Sequence, residues 1–513
     1  MSLRNTLLAG AAIALAMGAP ASAQTTEDIG IELLQLMVDE GLLPREKAQQ
    51  LLDKARHAAE LRAQREQPKT ASTIDVPYVP EALRAQIKDE VKQEVVAQAK
   101  SEGWVAPNSL PGWLDRIQIS GDFRLRYDGE RFGTNNLPFF PDVNAINRAG
   151  GVNNATGLPF INSPVDRHRI RYRARLAIDA MINKAVRVGV RLASGDDNGP
   201  VSTNNTLGSY FNKNAVWLDR AFIEIQPVKW VTLTGGRMAN PFLSTDMIWD
   251  PDINPEGVAG RLNYNFGDKL FGLSLFGTAG AFPLQEREID HNDRWLYASQ
   301  AGLALQPIRN VTISAAGSYY NYTHVKSRKN NPDGSRLFDY TAPGLLSQGN
   351  SLFNMRTDGL TTLAGLASDF NLLSGIATLS YDRGPLRFSM TGEVVKNLAL
   401  NPAEVARLRG EVGVPPGDLG WHVRFDAGHR EINKFGDWRI AAAYKRIETD
   451  AVLDIFADSD FGLGGTDQKG YVFEGEFGIY KNTSISAQWA SSDSISRAPL
   501  SVDVLLLNLN TRF

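Results

Sequence analysis

Four arginines at alternate positions, Arg169, Arg171, Arg173 and Arg175, are the residues of this chain whose type and spacing point most directly to chemistry. A guanidinium stays charged at any physiological pH and offers five N–H donors, so a row of them attracts and orients anions. A spacing of two places all four on one face of a β-strand, with Ile170, Tyr172, Leu176 and Ile178 on the other. Arg187 and Arg191 repeat the arrangement opposite Val186, Val188, Val190 and Leu192, and Arg124 and Arg126 lie in a further segment of the same kind. Like charges on neighbouring strands repel, and only Asp122 and Asp179 share their face. Two readings stay open. The row forms the basic wall of a water-filled passage, or it anchors an inward-folded acidic loop that neutralises it. A transverse field, with arginines on one side and an acidic loop on the other, combines the two and is the expected arrangement.

Other constellations carry less. Asp250, Asp252 and Asn254 alternate as in a calcium loop, but Pro255 stands where the turn glycine is needed and Glu256 comes too early to close the site. Loop packing or a hydrogen-bond network is the preferred reading of the three, and no metal is expected. The six histidines are scattered, and no metalloprotease, serine-hydrolase or phosphate-loop motif occurs. His422 and His429 lie near one turn without a partner nucleophile, so no catalytic residue and no cofactor is expected. With no cysteine, disulfides, thiolate metal sites and cysteine nucleophiles are excluded together.

The elements that must hold the arginines follow from composition and periodicity. Fifty-four basic against 57 acidic residues leave a net charge of −3, which gives no ground for a nucleic-acid partner. No apolar run after residue 24 is long enough for a membrane helix. From Ile117 onward the apolar residues recur with period two, giving sixteen strands: 117–127, 169–181, 184–194, 215–226, 229–238, 257–266, 270–280, 295–306, 310–322, 372–382, 385–396, 420–428, 436–448, 470–480, 483–491 and 503–513. Their connections alternate between long ones of 11 to 49 residues and short ones of 2 to 7. An even number of antiparallel strands with alternating long loops and short turns is the pattern of a bacterial transmembrane β-barrel, whose closure also removes both sheet edges. Aromatic residues near strand ends, among them Trp217, Trp230, Tyr381, Trp421 and Tyr471, fit the two interfacial girdles.

Ahead of the barrel, expected over 113–513, the pattern differs. Residues 1–23 have the parts of a secretory signal: Arg4, an apolar stretch from Leu7 to Met17, and Ala21, Ser22 and Ala23 before the cut. Residues 24–67 read as a helical hairpin broken at Gly41 and Pro44, 68–80 as a linker, and 81–112 as a further helix. Leu83, Ile87, Val91 and Val95 make a narrow stripe there, suited either to a coiled coil between copies or to packing on the chain's own hairpin.

The last strand, with Leu505, Leu507, Leu509 and the terminal Phe513 on one face, resembles the C-terminal signal read by the barrel-assembly machinery, which implies an outer-membrane destination. The segments 193–211 (ASGDDNGPVSTNNTLGSYF), 217–227 (WLDRAFIEIQP), 235–242 (GGRMANPF) and 249–262 (WDPDINPEGVAGRL) resemble the middle of the putative porin family of Gram-negative bacteria. That resemblance implies a passive diffusion channel for small hydrophilic solutes, a homotrimer embedded in outer-membrane lipid, and an N-terminal segment in the periplasm. It implies no catalytic residue and names no solute. The expectation is therefore a 16-stranded outer-membrane porin with a helical N-terminal segment, anion-preferring through its arginines. The alternative is an outer-membrane anchor that tethers the envelope through its periplasmic helices.

Overall fold

The computed structural model describes residues 116–513 except 198, 268–269 and 411–415. The signal, hairpin, linker and helix expected over 1–112 lie outside the described residues. Period-two alternation builds sixteen strands: β1 (Ile117–Phe132), β2 (Arg167–Met181), β3 (Val186–Ser194), β4 (Val216–Val228), β5 (Val231–Arg237), β6 (Glu256–Asn265), β7 (Ser274–Gln285) and β8 (Arg294–Ile308) are the first half. The second half is β9 (Val311–Thr323), β10 (Phe370–Arg383), β11 (Leu386–Asn397), β12 (Leu419–His429), β13 (Trp438–Ile447), β14 (Gln468–Tyr480), β15 (Thr483–Ser494) and β16 (Ser501–Arg512). Each pairs antiparallel with its neighbours in sequence, and β1 pairs with β16 from Asp122↔Arg512 to Phe132↔Val502, which closes the barrel. Closure matters in a bilayer, where an unpaired edge has no water to satisfy its backbone.

The outward face carries large apolar side chains, such as Ile119, Phe123, Leu176 and Leu507, more than two-fifths exposed because lipid is their partner. Tight turns sit at one end of the barrel. Asn310 and Asn482 take left-handed backbone (φ 69° and 54°) at the last position of the short turns β8–β9 and β14–β15, where the strand pairing also shifts register.

Two strands depart from the expected bounds. β1 continues past residue 127 to Phe132, because both of its neighbours supply partners that far: Glu130 lies opposite Arg167 of β2 and Phe132 opposite Val502 of β16. β7 runs later than 270–280. Leu270, Phe271 and Gly272 have positive φ and turn rather than extend, while Phe282 and Pro283 stay paired with Leu296 and Trp295. Loop 286–293 is consequently short, and the strict alternation of long and short connections breaks there and at the loop 495–500.

The long loops do not all project outward. Segment 238–255, between β5 and β6, folds into the barrel and buries Phe242, Met247, Ile248, Trp249 and Ile253. They pack on inward-facing Phe282 of β7, Leu296 of β8, Tyr320 and Tyr322 of β9, Phe370 and Leu372 of β10, and Ile447 of β13. Loop 448–467 joins them through Val452, Leu453 and Phe456. The Trp249 ring lies 5.9 Å from Tyr320 and 5.3 Å from Phe456, and Phe242 lies 5.5 Å from Tyr320. The barrel therefore has an apolar core inside it, along β7 to β13. Truncating Trp249 to alanine should remove about 3–5 kcal/mol from the seat of this loop. Protease cleavage within 238–255 is expected to accelerate many-fold in folded Trp249→Ala protein, with the barrel's heat-modifiable gel mobility unchanged; equal cleavage rates would mean that the ring does not hold the loop.

Candidate functional site

The arginines stand on the inner face of β1 to β4, on the side of the barrel away from the apolar core. Register sets like charges opposite one another: Arg124 faces Arg173 and Arg126 faces Arg171. Acidic neighbours relieve the repulsion. Asp122 holds Arg173 at 2.9 Å and Arg175 at 2.7 Å. Asp128 holds Arg169 at 2.9 Å and Arg171 at 3.3 Å, and Glu130 also pairs with Arg169. Asp128 and Glu130 continue the parity of Asp122, Arg124 and Arg126, so the longer β1 is what brings them in. On the next strands Arg191 pairs with Asp219, and Arg187 lies 3.7 Å from Asp179 and 3.4 Å from Glu224.

A bulge between Arg191 and Leu192 in the β3–β4 pairing turns two consecutive residues of β4, Asp219 and Arg220, toward the same cluster. Alternation alone keeps Arg220 on the inner face with Phe222 and Glu224 and sends Asp219 outward, so Asp219 is the residue that the bulge adds. The Arg220 Nε donates to Asn254 Oδ1 at 2.6 Å, and Arg124 donates to Asn204 Oδ1 at 2.7 Å. Among the described residues no carboxylate lies within 4.0 Å of either guanidinium.

The loops complete the site. Asp252 lies 3.5 Å from Arg173 and 3.4 Å from Arg175 and accepts from the Thr203 hydroxyl. Asp460, on loop 448–467, accepts from Arg126 at 2.9 Å. Burial works to raise that half-buried carboxyl, but Arg126 and Arg124 outweigh it and hold it below the usual range. The triplet weighed as a calcium loop is distributed otherwise. Asp250 accepts from the Ser459 amide and hydroxyl at 2.9 and 2.8 Å, Asp252 faces the arginines, and Asn254 donates to Asp219 at 2.8 Å. Burial and the nearby carboxylates of Asp458 and Asp252 push Asp250 well above the ordinary aspartate value. Behind these loops Lys445 bridges Asp246, at 2.7 Å, and Asp458, tying both inward loops to β13. Burial alone would raise the Asp246 carboxyl, yet Lys445 and His422 draw it down, whereas burial keeps Asp458 up.

Two polar cavities run along this wall. One, of about 740 Å³ at the turn end, is lined by Asp122, Arg173, Arg175, Arg191, Arg220 and Glu224 and reaches Arg512 and Phe513. The other, of about 240 Å³, lies between Arg124 and Arg126 on one side and Asp460 and Glu474 on the other. Glu476 and Asn510 border both, so the cavities adjoin. The remaining expected residues, Leu505, Leu507, Leu509 and Phe513, are on the outward face of β16 or just beyond it.

The docked loops respond to acid with a definite sign. Asp450 is fully buried, accepts from the Ser351 amide at 2.9 Å and hydroxyl at 2.6 Å, and is pushed up to about 6 by burial. Once exposed it titrates near an ordinary aspartate, about 3.9. The docked state then binds more protons between about pH 4 and 6, and its stability rises as pH falls through that window. Amide-exchange protection in 449–456, corrected for intrinsic rate, is expected to gain about tenfold from this group between pH 7 and pH 5. Asp450→Asn should lose that gain, and an unchanged pH profile in the variant would contradict the assignment.

Similar solved structures include Pseudomonas putida OprB at high pH, with 11% identity, a TM-score of 0.45, and coverage of 78% of this chain and 96% of that one. Salmonella typhi OmpF in complex with daunomycin has 10% identity and a TM-score of 0.41, covering 77% and 97%. The outer membrane channel DcaP of Acinetobacter baumannii has 12% identity and a TM-score of 0.40, covering 77% and 97%. Among curated proteins none matches. The family described as putative porin matches residues 27–513, nearly the whole chain, and the protein belongs to that family of outer-membrane barrels.

Proposed function

We propose that the protein conducts small hydrophilic solutes passively across the outer membrane, along the arginine-lined side of its barrel, with a weak preference for anions. The observation that carries this reading is the pair of adjoining polar cavities along the arginine wall, the smaller of them closed on its far side by Asp460 and Glu474. Solutes move down their own gradients, and no energy source or cofactor enters the proposal.

The preference follows from charge balance. Most arginines of the wall are matched by carboxylates, so the field is transverse and its net value small. Arg124 and Arg220 are the exceptions, since each rests on a neutral asparagine amide. Burial and the neighbouring carboxylates of Asp458 and Asp252 push the Asp250 carboxyl well above the ordinary aspartate value, which favours its neutral form and weakens the acidic side of the field. A permeating carboxylate or phosphate exchanges water for two guanidinium groups whose charge is not already spent.

Single-channel current in a planar bilayer under a KCl gradient tests the reading. Wild type should show steps with a reversal potential displaced modestly toward chloride. The combined variant Arg171→Ser, Arg173→Ser and Arg175→Ser should turn the channel cation-preferring, because it strips Asp122 and Asp252 of their arginines and leaves Asp128 with Arg169 alone. Steps with an unaltered reversal potential would remove the arginines from the conducting path, and folded protein without steps would sink the channel.

A further inference from the structure

We infer that the turn end of the barrel carries a ring of contacts for anionic phospholipid, in which exposed lysines and arginines of successive turns meet the headgroup phosphates. The ring shares no residue with either polar cavity, so the inference does not rest on the conduction reading.

Six of the seven turns carry such a cation: Lys184, Lys229, Arg309, Arg383 at the end of β10, Lys434 and Lys481. All six are exposed, and among the described residues none of them is in an ion pair with a carboxylate. The turns offer little acid in return. Asp382 is held by Arg387 and Arg430, and Asp437 is buried and accepts from the Asn433 and Lys434 amides at 3.0 Å. Glu431 is then the one exposed acidic side chain of the described turns. On the inner wall most guanidinium groups are matched by carboxylates, whereas the ring at this end has to be met from outside.

Apolar surface stands beside the cations. Ile182, Trp230, Ile308, Phe435 and Tyr480 lie in the same turns or at the strand residue next to them, with exposures from 47% for Trp230 to 73% for Tyr480. The Phe435 ring packs 5.8 Å from that of Phe477, an outward-facing residue of β14, which puts it on the bilayer side of the rim.

The two kinds of group call for one occupant. A soluble acidic protein would meet the cations and leave the apolar side chains in water, whereas a lipid covers them with its chains and brings a phosphate level with the cation. Repetition around the circumference suits many small molecules around the barrel better than one large partner on one side. A zwitterionic headgroup neutralises its own phosphate, so unpaired cations select a net negative one, by about fivefold in affinity per cation at the surface.

Native mass spectrometry of the full-length folded protein in mild detergent tests this, with equal amounts of phosphatidylglycerol and phosphatidylcholine of matched acyl chains added. Retained phosphatidylglycerol should exceed phosphatidylcholine by about tenfold or more. Lys184→Gln, Lys229→Gln and Lys481→Gln combined should bring the ratio below about threefold. Lys213→Gln, Lys329→Gln and Arg407→Gln combined remove as much exposed charge at the loop end and should leave the ratio unchanged. Heat-modifiable gel mobility shows a folded barrel in both variants. Equal retention of the two lipids, a full preference in the folded turn variant, or the same loss in both variants would each overturn the proposal. Displacement of the bound lipid by equimolar glycerol 3-phosphate would overturn it too, because the cations would then serve a soluble anion.

Discussion

Trp249 lodged between Tyr320 of the wall and Phe456 of a second loop decides where everything polar inside the barrel can be. A barrel of sixteen strands is too wide for its own inward side chains to fill. Here part of that space is taken by loop 238–255, whose apolar residues find an apolar inner wall on β7 to β13. Burial of this kind is worth about 1.5–3 kcal/mol per large side chain. Seating the loop sends its other edge across the lumen, where Asp252 meets Arg173 and Arg175 and Asn254 meets Arg220. The polar cavities lie in what remains between that edge and β1 to β4.

Electrostatics then works within limits set by packing. A row of arginines on one wall is unfavourable by itself, and each acidic residue near it offsets a specific repulsion: Asp122 the Arg173 and Arg175 pair, Asp128 the Arg169 and Arg171 pair, Asp460 the charge on Arg126. The two loops that bring Asp252 and Asp460 are themselves bound to β13 through Lys445, which Asp246 and Asp458 share. Wall and loops are thus parts of one charge network, and removing three arginines does more than lower the positive charge. It exposes carboxylates whose partners were taken away.

Much of the barrel was legible in the sequence because lipid imposes a period of two on any strand that crosses it. All sixteen expected strands form, and the Arg169 to Arg175 face lies opposite Ile170 to Ile178. The signal failed where that rule does not apply. β10 carries Phe370 and Leu372 inward as well as Leu373 outward, since its inner face meets a loop and not water. The bulge opposite Arg191 and Leu192 hid Asp219, which strict alternation sends to the outward face. Asp128 and Glu130 had the right parity but stood past the assumed end of β1. Contacts such as Arg126 with Asp460 join residues 334 apart through a loop without periodicity, and no local pattern announces them. The alternate spacing of Asp250, Asp252 and Asn254 had a meaning other than ion binding: three side chains aimed at three different partners.

The chain lacks cysteine, so a single engineered thiol reports on one place alone. The most direct measurement is the current through Arg173→Cys channels in a planar bilayer when a negatively charged methanethiosulfonate reagent is added, beside Ala174→Cys on the outward face. Water-filled space along the arginine wall predicts stepwise loss of current at position 173 and none at 174. A current indifferent to modification at 173, with the adduct confirmed by mass, would place the conducting path elsewhere and contradict the account.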